Sequence, residues 1–168
     1  MIGRNEAESC HSESAPPDVH VGGIVLGECM AASADAAGVA SVIDGDTIEI
    51  HGQRIRLHGI DAPESGQTCL DNAGQKWGCG QQAALALQDL IGRRTVTCDE
   101  RDVDRYGRTI SQCFVGEVDI NKWLVAQGLA LAYRRYSRDY VAAEDEARQA
   151  GRGMWAGTFE PPWEWRRR

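Results

Sequence analysis

Four short stretches concentrate the side chains that can do chemistry: VIDGDT (42–47), RIRLHGIDAPE (54–64), DRYGR (104–108) and ALAYRRY (130–136). The first places Asp44 and Asp46 on either side of one glycine, between two β-type apolar runs. An Asp-Gly turn explains one of these acids; the other needs a further role. In the second stretch, an extended strand would put Arg54, Arg56 and His58 on one face and Ile55 and Leu57 on the other. Asp61 would then fall on the apolar face. A buried, unpaired carboxylate is costly, so Asp61 lies beyond the strand end or Gly59 shifts the register with a bulge. Either option brings it to a rim. Ala62 precedes Pro63, which holds its backbone extended and its carbonyl available as a ligand. Glu64 follows directly.

If the tip of the first hairpin lies beside the end of the third strand, Asp46 and Asp61 meet. Two adjacent carboxylates repel, and one must take up a proton unless a cation sits between them. Two carboxylates, a peptide carbonyl and water make an all-oxygen site, which suits Ca²⁺ first and Mg²⁺ second. The guanidinium forks of Arg56 and Arg108 match phosphate oxygens. A cation and two arginines would neutralise charge on a pentacoordinate phosphorus. Glu64 would take a proton from the attacking water or orient it. The residues alone leave a plainer arrangement open: Asp46 caps its turn, Asp61 pairs with an arginine, and the arginines form exposed salt bridges of little value.

The elements that must position these residues are short. Residues 38–44, 47–51 and 54–60 read as three strands, with turn signals at Asp44-Gly45 and His51-Gly52. Residues 65–80 form a Gly-rich polar loop. A helix over 81–91 stops at Gly92. Strands over 94–100 and 108–115 follow, then a helix over 119–127 capped by Asp119 and another over 137–150 capped by Ser137. The tail, TFEPPWEWRRR, is expected to pack its tryptophans on the body and leave its arginines in solvent. This order predicts an α+β, mainly β domain: a five-stranded Greek-key barrel of the OB type with three helices. Residues 1–37 read as an extension, 38–158 as the folded domain and 159–168 as a Trp/Arg tail.

The formal charge is −7, but six acids and only Arg4 fall in the first 40 residues. The body is close to neutral, so a polyanion must be gripped by a local basic patch. No stretch reaches the ~18 apolar residues of a membrane span. Of six cysteines, Cys69, Cys79, Cys98 and Cys113 lie in the body at C-x9-C and C-x14-C spacing. That spacing is poor for zinc. Bridges Cys69–Cys79 and Cys98–Cys113 are the simplest pairing, each stabilising by roughly 2–3 kcal/mol, with four buried thiols as the alternative. Disulfides imply an oxidising compartment, periplasmic or extracellular; free thiols imply the cytoplasm. Residues 21–33 form a weak apolar run ending near Ala32-Ser33-Ala34, but Glu28 interrupts it. It reads as a degenerate export signal or an acidic tail.

Taken together, VIDGDT, R-L-x-G-I-D-A-P-E, D-R-Y-G-R and G-L-A-x-A-Y, in this order and at these spacings, resemble the staphylococcal nuclease (thermonuclease) family from about residue 38 to Trp155. The resemblance implies an OB-fold barrel and a Ca²⁺-dependent nuclease acting on DNA and RNA, cleaving the bond to the 5′ oxygen and leaving 3′-phosphate ends. By position, Asp46 and Asp61 look like the carboxylate calcium ligands, Ala62 like the carbonyl ligand and Asp44 like an acid acting through water. Glu64 looks like the general base, and Arg56 and Arg108 like the phosphate-binding arginines. Arg105, Tyr106, Tyr133 and Tyr136 align with the wall around the nucleotide. The sequence departs from the family's best-known member at Ala62, where that member has a threonine, at Arg105, where it has a lysine, and in the segment after Glu64. The partner implied is nucleic acid; with no bulk positive charge, grip by a few arginines and stacking on tyrosine predicts a preference for single strands, and a monomer is expected. The competing class is an OB module without catalysis that binds nucleic acid or protein. The presence of Asp46, Asp61, Glu64, Arg56 and Arg108 together favours the enzyme; a cytosolic DNA-processing role is a third reading.

Overall fold

The computed structural model describes residues 34–168. The expected export signal, Cys10 and Cys29 lie outside the described residues. The first strand pair, β1 (Ala36–Val39) and β2 (Ser41–Asp44), is interrupted at Ala40. It starts two residues before the expected domain boundary. Next come β3 (Thr47–Ile50) and β4 (Gln53–Leu57), joined by the His51-Gly52 turn, then the short β5 (Ile60–Asp61). Strands β8 (Thr95–Val103) and β9 (Thr109–Val115) form the long hairpin of the domain, reached after β6 (Cys69–Leu70), β7 (Lys76–Trp77) and helix α1 (Cys79–Ile91). The remainder is β10 (Val118–Asp119), α2 (Ile120–Ala126), β11 (Leu131–Ala132), α3 (Val141–Gln149), a 3-10 turn (Gly153–Ala156) and the single turn α4 (Pro162–Trp165).

The main sheet runs β1-β8-β9-β4-β3-β2. Its two outer strands are the two halves of one chain segment, so the sheet closes on itself. Counting β1 and β2 as one bent strand, five strands make an OB-type barrel with helices α1, α2 and α3. Every pairing within it is antiparallel except β4 with β9, which run parallel. Alternation fills the interior: Ile55 and Leu57 of β4, and Thr109, Ser111, Cys113 and Val115 of β9, point inward. Ile48, Ile50, Val96, Leu87, Ile91, Ile120 and Leu124 complete the core.

Both disulfides are formed. Cys98 and Cys113 are direct partners across β8 and β9, with Cα atoms 4.1 Å apart. Cys69–Cys79 ties the β6–β7 hairpin to the start of α1, with Cα atoms 5.7 Å apart. Asp119 caps α2 by accepting from the Lys122 amide at 2.9 Å. Helix α3 departs from expectation. It begins at Val141 with Tyr140 at its cap, because the Ser137 hydroxyl accepts the Asp139 amide in a local turn and is used up there.

Candidate active site

The opening hairpin resolves its two acids into two tasks. Asp44 Oδ1 accepts the Asp46 amide at 3.0 Å, which is the turn's own hydrogen bond. Asp46 is then free to face inward. Gly45 between them permits this approach: a Cβ there would lie 2.8 Å from the Cβ of Ala62 and 2.9 Å from that of Ala83 in α1. The tip therefore lies directly on the segment after β5. Asp46 Oδ2 accepts the Ala62 amide at 3.3 Å, and the Asp46 carbonyl accepts the Leu57 amide at 2.8 Å.

Asp61 reaches the same place by the other route. Strand β4 stops at Leu57, the chain turns at His58-Gly59, and β5 resumes with a new register, pairing with β11. Asp61 is fully buried. Its compensation is a guanidinium: Arg56 Nη2 donates to Asp61 Oδ1 at 3.0 Å and lies 3.5 Å from Asp46 Oδ2. The two carboxylates thus face each other across one nitrogen. Burial pushes the Asp46 carboxyl above its ordinary range, and the neighbouring Asp61 adds to this while Arg56 opposes it. Asp44 is also raised, by burial and by Asp46.

Glu64 sits three residues beyond Asp61, half exposed. Its amide donates to Gln67 Oε1 at 3.2 Å, and the fully buried Gln67 side chain donates in turn to the Glu160 carbonyl at 2.7 Å. Behind it, Gly80 at the start of α1 approaches so closely that a Cβ there would lie 1.7 Å from the Glu64 carbonyl oxygen.

The arginines and tyrosines line a cleft of about 600 Å³ alongside. Arg56, Arg108, Arg105, Tyr106, Tyr133 and Tyr136 all contribute to it, and Arg101 and Arg135 join them. Asp46, Asp61 and Glu64 are not in its lining, and Arg56 is the link between acids and cleft. Arg108 is oriented by Asp104, which accepts its Nε at 2.7 Å and its amide at 2.9 Å. Burial pushes the Asp104 carboxyl up, but hydrogen bonds from the Arg108 and Tyr106 amides and the Arg108 guanidinium outweigh it and hold it below its ordinary range. Tyr106 and Tyr136 are about two-thirds exposed, with the Arg105 guanidinium 4.7 Å over the Tyr106 ring and that of Arg135 5.9 Å from the centre of the Tyr136 ring. Tyr133 is tied to the segment that leads into β5, because its amide donates to the Gly59 carbonyl at 2.9 Å.

A family model described as staphylococcal nuclease homologue matches residues 54–157. The chain belongs to the staphylococcal nuclease family. It is 39% identical to the succinoglycan biosynthesis protein ExoI of Rhizobium meliloti over 142 residues, covering 80% of this chain and 74% of the relative. It is 37% identical to a micrococcal nuclease of Shigella flexneri over 163 residues, covering 86% and 88% of the two chains. An uncharacterized endonuclease of Escherichia coli O157:H7 is also 37% identical, over 77% of this chain and 84% of its own. The family and the names of these nuclease relatives point to a nuclease.

For a member of the staphylococcal nuclease family, a divalent cation at Asp46 and Asp61 fits the residues present. The donors are all oxygen, two carboxylates are buried together, and one guanidinium, that of Arg56, is already drawn between them. Among the described residues, no three His, Cys, Asp or Glu side chains converge as a ligand set. The remaining ligands would be backbone carbonyl and water, as hard cations accept. Sequence reasoning overlooked Gln67, Arg101, Arg135 and Arg166. Arg166 of the tail is not solvated as expected: it donates to Asp61 Oδ2 at 2.6 Å and to Glu64 Oε1 at 2.6 Å. The clustered arginines of TFEPPWEWRRR were the one available signal.

Proposed function

We propose that the chain is a Ca²⁺-dependent nuclease that hydrolyses phosphodiester bonds of DNA and RNA with little sequence specificity, leaving 3′-phosphate ends. The observation that carries this reading is the Arg56 guanidinium joining Asp46 and Asp61 at the edge of a cleft lined by arginine and tyrosine. Asp46, Asp61 and the Ala62 carbonyl would hold the cation, with Asp44 behind them through water. A bound cation would supply positive charge next to the scissile phosphate.

The other steps belong to the chain itself. Arg56 and Arg108 take the non-bridging phosphate oxygens and hold them as negative charge builds up. Glu64 accepts a proton from the attacking water, whose oxygen bonds to phosphorus as the bond to the 5′ oxygen breaks. The freed 5′ oxygen takes a proton from solvent, and the phosphate stays on the 3′ side. Arg105, Tyr106, Tyr133 and Tyr136 would seat the base and the neighbouring phosphate. The exposed rings of Tyr106 and Tyr136 favour unpaired bases, which offer a free stacking face. We further infer that the protein acts in an oxidising compartment, since both disulfides are built into elements that hold the site, and that it acts as a monomer, since the proposed site draws on residues of one chain alone.

Denatured DNA and RNA, digested with Ca²⁺, with Mg²⁺ and with chelator, test the reading. Cleavage with Ca²⁺, 3′-phosphate ends and loss with chelator are expected. Tight binding of single strands without cleavage under any of these conditions would instead establish the OB module without catalysis.

A further inference from the structure

The C-terminal residues reach the site from more than 100 positions away in sequence. Pro161 and Pro162 start the single turn α4, and Arg166 follows it. Arg166 donates to both oxygens of Asp61, at 3.1 and 2.6 Å, and to Glu64 at 2.6 Å. Its fork meets a desolvated carboxylate, where charge-assisted hydrogen bonds are strongest. One turn earlier, the Trp163 ring stacks on Tyr133 with centroids 5.5 Å apart and planes 17° from parallel. Upstream, Gln67 holds the Glu160 carbonyl, and Leu70 and Thr158 exchange backbone hydrogen bonds at 2.8 and 3.0 Å. Arg168 pairs with Glu160. A tail that merely trails into solvent needs none of these attachments.

The charges show what the tail replaces. Asp46, Asp61 and Glu64 bring three negative charges, and Arg56 answers one. The remaining two match a divalent cation, and Arg166 supplies one of them. Asp61 Oδ1 already accepts from both arginines and Oδ2 from Arg166. A cation at the ~2.3–2.6 Å of a calcium–oxygen bond must displace at least part of this fork.

We propose that the tail is a built-in competitor at the active site: Arg166 occupies Asp61, the carboxylate it would share with a cation, and engages Glu64 beside it, while Trp163 covers a stacking face of Tyr133. Cation binding and tail docking therefore oppose each other. The inference rests on the reading that a divalent cation is held at Asp46 and Asp61. Such coupling is reciprocal: the docked tail weakens cation affinity, and the cation loosens the tail. If the tail is docked in nine molecules of ten, the apparent affinity for the cation falls about tenfold.

The test is a calorimetric titration with Ca²⁺ alone, without nucleic acid, on the full chain and on Arg166→Ala, Trp163→Ala and Asp61→Asn. Arg166→Ala is expected to bind Ca²⁺ about tenfold more tightly. Trp163→Ala touches no carboxylate, so a gain of about threefold there reports tail docking itself. Hydrogen exchange of the amides of residues 163–168 should quicken when Ca²⁺ saturates the unaltered chain. Equal affinities in the unaltered chain and both tail variants, with binding lost in Asp61→Asn, would overturn the competition and leave the metal site standing. No Ca²⁺ binding by any of the four would overturn the metal site and this proposal with it.

Discussion

Gln67 offers the sharpest test of how the site is held. Its side chain is fully buried and joins two backbones: Oε1 accepts the Glu64 amide at 3.2 Å, and Nε2 donates to the Glu160 carbonyl at 2.7 Å. Gln67→Leu keeps the approximate volume and removes both bonds. A buried polar group left without a partner costs about 1–3 kcal/mol. The Glu160 carbonyl, at the shorter distance, carries the larger share, and the Glu64 amide, at the longer one, the smaller. The expected loss is therefore about 2–4 kcal/mol in urea unfolding. In a domain of this size that lowers Tm by roughly 4–16 °C. At a temperature where both proteins are folded, kcat should also fall by at least about tenfold, because small misplacement of a reacting group is expensive. Gln67→Glu separates the two effects: it keeps the acceptor for Glu64 but sets a carboxylate against the Glu160 carbonyl. It should lose stability while retaining more activity than Gln67→Leu. A Gln67→Leu protein with unaltered urea midpoint and unaltered kcat would refute the idea that this amide positions Glu64.

Four further outcomes are expected. Glu64→Gln should lower kcat by about 10²–10⁴ while the protein still binds Ca²⁺ in a calorimetric titration. Arg108→Ala should cost at least about 10² in kcat/KM on denatured DNA. The folded-state pKa of Asp104 is depressed, so its contribution to stability is present above the ordinary value of 3.8 and is lost as pH falls below it through the folded value. Unfolding curves of Asp104→Asn should accordingly be flatter with pH in that acid range than those of the unaltered chain. Replacing Cys98 and Cys113 together by alanine should cost roughly 3 kcal/mol in urea unfolding, as expected for a loop of this length, with the same register of β8 on β9 in hydrogen exchange.

The barrel was legible because its signals are local. Ile55 and Leu57 alternate with Arg54 and Arg56, and that period alone assigns the faces of β4. Asp44-Gly45 and His51-Gly52 mark two turns through their own chemistry, and Asp119 marks a helix start. The cysteine spacing could suggest a pairing because Cys98 and Cys113 fall opposite each other in one hairpin. Ser137 misled for a physical reason: serine serves a turn as well as a cap, and here the turn at Asp139 takes its hydroxyl. Asp61 was rightly read as lying off the end of β4, but its partners could not be foreseen in full. Arg56 is five residues away, whereas Arg166 is 105 positions away and follows a turn too short to carry any periodicity. Gln67 was silent because a glutamine in a polar loop resembles any solvated side chain until both ends of its amide are seen to be engaged.

The contact between Gly80 and Glu64 has its own consequence. Two main chains touch there with room for a hydrogen atom and nothing larger, so the acid stands on a spacer whose thickness no side chain sets. Gln67 aside, decoration of the 65–78 loop can therefore drift without changing that spacing, whereas one added methyl at position 80 pushes the acid from behind, out of reach of any compensating change inside the cleft.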